Sequence, residues 1–421
     1  KAADVRRLLG LGAPTSGPIV QKVSRELVKV GADDRKKKFP DDDSGAELVA
    51  PMHIAAQAGH VECLQALLDA EAEVDVLTSP RKLTPLYFAS LQGHLACVKA
   101  LIDGGATVTR GSPQSYLLQS SHKSFPEIVS SLLAAKAPVD DADSTGQTPL
   151  QYAVNKSEGE FSRPIASMLL EAGASVNRTN NAREWSPLLL ACSRGNAAAV
   201  EMLVEHGATV NILADQSRMS PLLLACENAA ATCVHMLVDA RANIEYQAPD
   251  TPEDPGCCAL HMSCRDRRGL DCVRELLAAG ACVNAALATP LENYQQWERK
   301  AGLGETPLWT AVEYGNPRCV SLLLGAKADI HRTYGSYEHG YGWGVHDKAP
   351  AKVLDAAIFF GEKECERVLR SAGAISLAEA AAAAAMEALL QEEEEDKEGK
   401  EGGGKKKKNK KKNKGAAGPA G

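Results

Sequence analysis

One segment of 26 residues, Leu83 to Val108 (LTPLYFASLQGHLACVKALIDGGATV), recurs along this chain and constrains its fold more tightly than any other feature. Thr84 reads as an N-cap whose hydroxyl accepts from an orphan backbone N–H, and Pro85 follows at the first helical position, where its missing donor does no harm. A short first helix then carries Leu86, Ala89 and Ser90. Gly93-His94 breaks it, and a second helix carries Val98, Leu101 and Ile102 at the i, i+3, i+4 spacing of a buried stripe. Gly105 closes the second helix in the left-handed conformation that glycine takes cheaply. A unit with so little apolar surface needs copies of itself on both sides.

The copies are present. Positions equivalent to Pro85 are Pro51, Tyr116, Pro149, Pro187, Pro221, Ala259, Pro307 and Val353. From Pro51 to Val353 the successive spacings are 34, 31, 33, 38, 34, 38, 48 and 46 residues, a period near 33 with longer insertions late in the chain. Thr84-Pro85-Leu86, Gly93-His94 and Gly105-Ala106, with the Thr-Pro-Leu runs from Thr148 and Thr306, resemble the ankyrin repeat over about residues 1–375. The resemblance implies an all-α ankyrin-repeat solenoid of about nine helix–turn–helix units with β-turn fingers, binding ligands on its concave side.

The chain also departs from that pattern, in which Thr and His of Thr-Pro-Leu-His are hydrogen-bonded. His53 and His261 follow Ala50 and Cys258 at the Thr position, whereas units that keep Thr or Ser have Tyr87, Gln151, Leu189, Leu223 or Trp309 in place of His. No unit has both, so that bond is expected to be lost throughout, leaving modest stability per repeat held by interface burial.

Three segments follow. Residues 1–45 hold two degenerate second-helix patterns and a charged loop, 46–375 hold the array, and 376–421 form the tail. The chain begins at Lys1 without Met, and Asp4 to Gly10 already reads as a second helix, so the native N-terminus is expected upstream. After Tyr246 the connections lengthen: 285–304 adds Tyr294 and Trp297, and 331–350 is dense in aromatics and Gly. The last unit, Val353 to Ala374, reads as a cap, with Arg367 and Arg370 beside Leu369. Ser376 to Glu395 is expected to be an Ala-rich helix with an acidic end, and the lysine-rich remainder is expected to be disordered.

The net charge is −7, of which the tail contributes +1, so the first 375 residues carry about −8. A mildly acidic array argues against specific nucleic-acid binding, which requires a basic face. The run Lys405 to Lys414 has three readings: a nuclear-import signal, a weak polyanion contact through Lys405, Lys406, Lys407 and Lys408, or a solvated tail. The adjoining acidic block favours the last. No signal peptide or membrane span is visible; the most apolar run, 377–390, is mostly Ala and includes Glu379 and Glu387. Of the 12 Cys, Cys63, Cys97, Cys233, Cys272, Cys319 and Cys365 share one repeat column, and Cys192, Cys226 and Cys264 share another. Nine thiols are thus a repeated packing choice, and no Cys-x-x-Cys pair suggests zinc. So many free thiols imply a reducing compartment, taken as cytoplasmic, with nuclear entry open through the tail.

No Gly-x-Ser-x-Gly, His-Glu-x-x-His or Walker-type loop appears. His331, His339 and His346 cluster with Tyr and Trp, where a recognition loop accounts for them better than a metal site. No catalytic, metal or cofactor-binding residue is assigned. The resemblance directs attention to exposed first-helix positions six and seven residues after each marker: Gln57-Ala58, Leu91-Gln92, His122-Lys123, Ser193-Arg194, Glu227-Asn228, Arg265-Asp266 and Glu313-Tyr314. They vary while the core columns stay apolar. Tyr and Trp dominate binding hot spots, so the partner-binding candidates are Tyr294, Trp297, Tyr314, Tyr334, Tyr337, Tyr341 and Trp343, with Arg194 and Arg265. The expected function is a non-enzymatic, monomeric scaffold or adaptor for partner proteins. The rival readings are a substrate-recruiting subunit of a larger enzyme such as a ubiquitin ligase, and the interaction part of a longer protein.

Overall fold

The computed structural model describes residues 50–78, 81–108, 116–157, 159, 161–180, 184–214, 218–248, 257–287, 305–334, 351–388 and 390–391. The N-terminal remnants, most of the two aromatic stretches and the lysine-rich tail therefore lie outside the described residues.

Nine helix pairs appear among the described residues, each starting at a predicted marker. The first six are α1 (Pro51–Gln57) with α2 (Val61–Asp69), α3 (Pro85–Gln92) with α4 (Leu95–Asp103), α5 (Tyr116–Lys123) with α6 (Pro126–Ala134), α7 (Pro149–Val154) with α8 (Arg163–Glu171), α9 (Pro187–Ser193) with α10 (Ala197–Glu205), and α11 (Pro221–Glu227) with α12 (Ala231–Asp239). The last three are α13 (Ala259–Arg265) with α14 (Leu270–Ala278), α15 (Pro307–Glu313) with α16 (Pro317–Gly325), and α17 (Val353–Phe359) with α18 (Lys363–Ser371). Before α17, Thr333–Tyr334 (β1) pairs antiparallel with Ala351–Lys352 (β2), Thr333 opposite Lys352. The chain divides into two compact units, one of residues 1–251 with 274–281 and the other of 252–273 with 282–421. In the first, α1 through α12 stack with first helix on first helix and second on second. In the second, α13, α15 and α17 stack through their first helices, and α16 packs on α18.

The sequence explains each pair. Thr84, Thr148, Ser186, Ser220 and Thr306 accept the N–H three residues on, each with Pro at the first helical position. Second helices bury a repeated triad such as Cys97, Val98 and Leu101, or Ile128, Val129 and Leu132. Fully burying a leucine of this kind is worth about 1.5–3 kcal/mol. All 12 cysteines are reduced, and only Cys282 is exposed, so Cys257 and Cys258, outside the predicted columns, are packed as well.

Two expectations are refined. Glycine is not required to close the second helix. Gly105 is left-handed (φ +88°), but Glu71, Lys136, Arg241 and Lys327 take the same position at φ +53°, +61°, +64° and +67°. The bridging role of the lost Thr–His pair also survives in other hands. Ala50 N–H donates to His53 Nδ1 (3.0 Å), and His53 Nε2 reaches the Leu83 carbonyl of the next unit (3.0 Å). A backbone carbonyl only accepts, so Nε2 carries the proton. Gln151 does the same work: it accepts from Thr148 N–H (2.9 Å) and donates through Nε2 to the Arg178 and Trp185 carbonyls (2.8 and 2.9 Å). A second ladder runs through the turns, where Asp75, Asp140, Asn177, Asn211 and Asn284 each accept an N–H from the following unit.

The cap has its expected polar face, with Arg370 pairing with Glu366 and Glu379 (2.9 Å each). Beyond it, 377–388 and 390–391 are helical. Ser376 and Glu379 cap that helix reciprocally, and Leu377 N–H donates to the Asp355 carboxylate (3.0 Å), fastening its start to the last unit.

Candidate functional site

Each first helix ends in a turn whose residues, six and seven after the marker, carry the variable surface chemistry. The third, fourth and fifth units bring three such turns together around a pocket of about 510 Å³, lined by His122, Ser124, Tyr152, Asn155, Lys156 and Arg194. Lys156 Nζ donates to the His122 carbonyl (2.8 Å) and to Ser124 Oγ (2.6 Å). Arg194 Nε donates to Asn155 Oδ1 (2.9 Å). These three acceptors are neutral oxygens, and the bonds to them hold the two side chains in place. The Lys156 backbone is held in turn, its carbonyl accepting from Asn196 Nδ2 (3.0 Å). His122 stands edge-on to Tyr152, ring centroids 5.2 Å apart. Burial, then the charges of Lys156 and Lys123, holds the His122 imidazolium below the usual histidine range.

Tyr152 joins the pocket to its own turn. Its hydroxyl donates to Asp143 Oδ2 (2.8 Å), and burial, reinforced by that carboxylate, pushes the phenol up to about 12. Asp143 also accepts from Thr145 N–H (2.8 Å), Thr145 Oγ1 (2.7 Å) and Gln147 N–H (3.0 Å). Burial opposes its ionisation, but these bonds outweigh burial and hold the carboxyl below its ordinary value. Its charge is thus engaged in organising the turn.

In the second compact unit aromatic side chains enter the equivalent positions, at Tyr314, Phe359 and Phe360. Tyr314 is 45% exposed, with the Arg265 guanidinium 6.0 Å from its ring centroid. Arg265 is positioned by Nη2 donating to Cys257 Sγ (3.0 Å). On the next first helix Ile358 and Phe359 are 47% and 62% exposed, and Phe359 meets Phe360 edge-on at 5.3 Å. Large apolar side chains grouped at the surface mark interaction sites.

Of the residues singled out from sequence, Arg194 lines the pocket of the first compact unit, Arg265 and Tyr314 meet in the second, and Tyr334 contributes backbone to β1. Tyr294, Trp297, Tyr337, Tyr341, Trp343 and Lys405 to Lys408 lie outside the described residues. His331 is exposed, and among the described residues no group of three His, Cys, Asp or Glu could hold a metal ion. Sequence reasoning missed Asn155-Lys156 and Phe359-Phe360. Counting six and seven from Pro149 and Val353 finds both pairs.

With this geometry in place, a family model described as ankyrin repeats (3 copies) matches residues 26–112, 160–250 and 242–334, more than half of the chain. The chain belongs to the ankyrin-repeat family, whose repeats are protein–protein interaction modules and typically non-enzymatic. Among solved structures it is similar to the human ASB11 ankyrin repeat domain, at 21% identity over 77% of this chain and 98% of that one, with a TM-score of 0.33. No curated protein matches it. The family model passes over 113–159, yet that stretch folds into α5, α6 and α7 and supplies five of the six pocket residues.

Proposed function

We propose that this chain is a non-enzymatic scaffold or adaptor that holds partner proteins against the ends of its first helices and the adjoining fingers. One observation carries the reading: a single column of surface positions changes chemistry from unit to unit over buried columns that stay apolar. It is cationic at Lys156 and Arg194, and aromatic at Tyr314 and Phe359. A solvated face needs no exposed Phe, Tyr and Ile together, whereas a partner surface draws its affinity from such anchors.

The test is affinity capture with the intact chain, comparing wild type with Tyr314→Ala/Phe359→Ala and with Leu91→Arg. Each variant alters the face without touching the buried triads. Loss of the captured proteins, at about 1–3 kcal/mol per buried anchor, with an unchanged unfolding midpoint, supports the reading. Capture that persists in both variants contradicts it.

A further inference from the structure

We infer that this chain pairs with a second copy of itself through the open side of its last unit, where α17 and the C-terminal helix leave apolar surface uncovered. This dimer is independent of the partner face at the first-helix ends, and it replaces the monomer expected from the sequence.

The open side shows in one column. The residue five after each marker, from Ala56 and Ser90 through Cys264 and Val312, is at most 1% exposed in the first eight units, yet the ninth member, Ile358, is 47% exposed. The ninth unit has the eighth packed before it, α15 on α17, and no tenth helix pair follows among the described residues. Burial of this column therefore comes from the following unit. The residue three earlier lies on the same side of the helix and behaves alike: His53 and Gln151 bond to carbonyls of the unit that follows them.

In the ninth unit that earlier position is Asp355, which accepts from Leu377 N–H (3.0 Å). The start of the C-terminal helix thus stands in for a following unit over one turn of α17, and goes no further. Ile358 stays exposed, and so does every residue of the C-terminal helix from Ala381 to Ala388. A helix docked only at its start gains little from packing, and a helix of this length is marginal alone. Met386 and Leu390, four residues apart and so on one face, are 62% and 54% exposed. Seven large apolar side chains are exposed among the described residues, and five of them belong to the last unit and this helix: Ile358, Phe359, Ile375, Met386 and Leu390. Such grouping marks an interaction surface.

Three features make a second copy the occupant. What covers the equivalents of Ile358 within the array is the next repeat of this same chain, so a second α17 brings surface of a kind the fold already packs there. The surface is also nearly uncharged. Between Ala381 and Ala388 the one charged residue is Glu387, and Glu379 is held by Arg370. It carries little charge with which to select an unlike partner, whereas apolar surface complements itself, as a two-fold interface requires. Finally, Glu364 with Arg367 and Glu366 with Arg370 pair within α18, giving the polar rim that borders an interface. One short helix and one flank of α17 make a small contact, so the dimer should dissociate in the micromolar range rather than be permanent.

The test is sedimentation velocity on the whole chain under reducing conditions, over a hundredfold range of concentration and at low and high salt. Wild type should pass from monomer toward dimer and stop there at both salt concentrations, because salt screens charges and not apolar contact. Ile358→Glu should weaken the association at least tenfold with the unfolding midpoint unchanged, and Met386→Glu/Leu390→Glu should do the same. Met386 and Leu390 support no core, so the second variant carries the test if Ile358→Glu fails to fold. A wild type that stays monomeric throughout overturns the inference, and a lowered midpoint for Ile358→Glu in that case would show that another part of the same chain covers the face. Association that both variants leave intact overturns it too, as does association that continues into longer oligomers. Loss of association at high salt, the behaviour of contacts between acidic and lysine-rich tails, also overturns it. Partner capture through Tyr314 and Phe359 is read separately, and its failure would leave the dimer standing.

Discussion

His261 shows how much a single residue can reveal about the array. It is almost wholly buried, with Nε2–H donating to the Glu305 carbonyl (3.2 Å) and Nδ1 beside Cys258 Sγ (2.9 Å). Burial holds its imidazolium down to about 4. The folded chain therefore leaves His261 unprotonated down to about pH 4, while the unfolded chain protonates it below about 6.5. The stability tied to its neutral form is complete above pH 6.5 and is lost as pH falls from 6.5 to 4, by up to about 3 kcal/mol. Denaturant midpoints at pH 7 and 4.5 should show that loss in wild type and less of it in His261→Gln, since Gln151 makes the equivalent bridge in the fourth unit. The left-handed residues give a second expectation. Glycine at Lys136, Arg241 or Lys327 should raise stability by about 0.5–1 kcal/mol each, read by thermal melting, because a side chain at positive φ costs about 1–2 kcal/mol. Thiol labelling followed by mass spectrometry should find Cys282 reacting first and the other 11 cysteines slowly until unfolding, because only Cys282 is exposed.

At the scale of elements, the bridges between units matter more than any one helix. Gln151→Leu would leave Thr148 N–H and two carbonyls without their partner, and should cost about 2 kcal/mol in chemical unfolding. Gln151→His should cost less, because the ring can still accept from Thr148 N–H and donate to one of the two carbonyls. What was legible in the sequence was the repeating part: the cap at Thr84, the Pro markers, and Val98 and Leu101 of the α4 stripe, whereas Ile102, expected in the same stripe, is only half-buried. Those signals are local, set by helix sterics and by a period of 3.6. What escaped was relational. That Gln151 replaces a histidine, or that Asp75 and Asn211 form a ladder, depends on which carbonyl or amide the next unit presents, about 32 residues away. The pocket escaped for a similar reason. Asn155 and Lys156 fall at a register position already known to be exposed, but only folding sets the Lys156 ammonium against the His122 carbonyl.

Across the whole molecule, core columns repeat while one surface column varies, and it is to that varying column that we assign binding. Stability and recognition should therefore separate by position. Changes in the triads should lower the unfolding midpoint, and changes at the ends of the first helices should lower partner binding. The aromatic and basic parts of that column belong to different compact units, so each should act when the other is altered. The most direct measurement places a photo-crosslinking amino acid singly at Leu91, Arg194, Tyr314 and Phe359, and singly at Lys99, Glu127 and Arg367 on the second helices. Proteins bound to the intact chain should crosslink from the first group and not from the second. Adducts forming equally from both groups, or only from Lys99, Glu127 and Arg367, would contradict the assignment of the first-helix face as the binding surface.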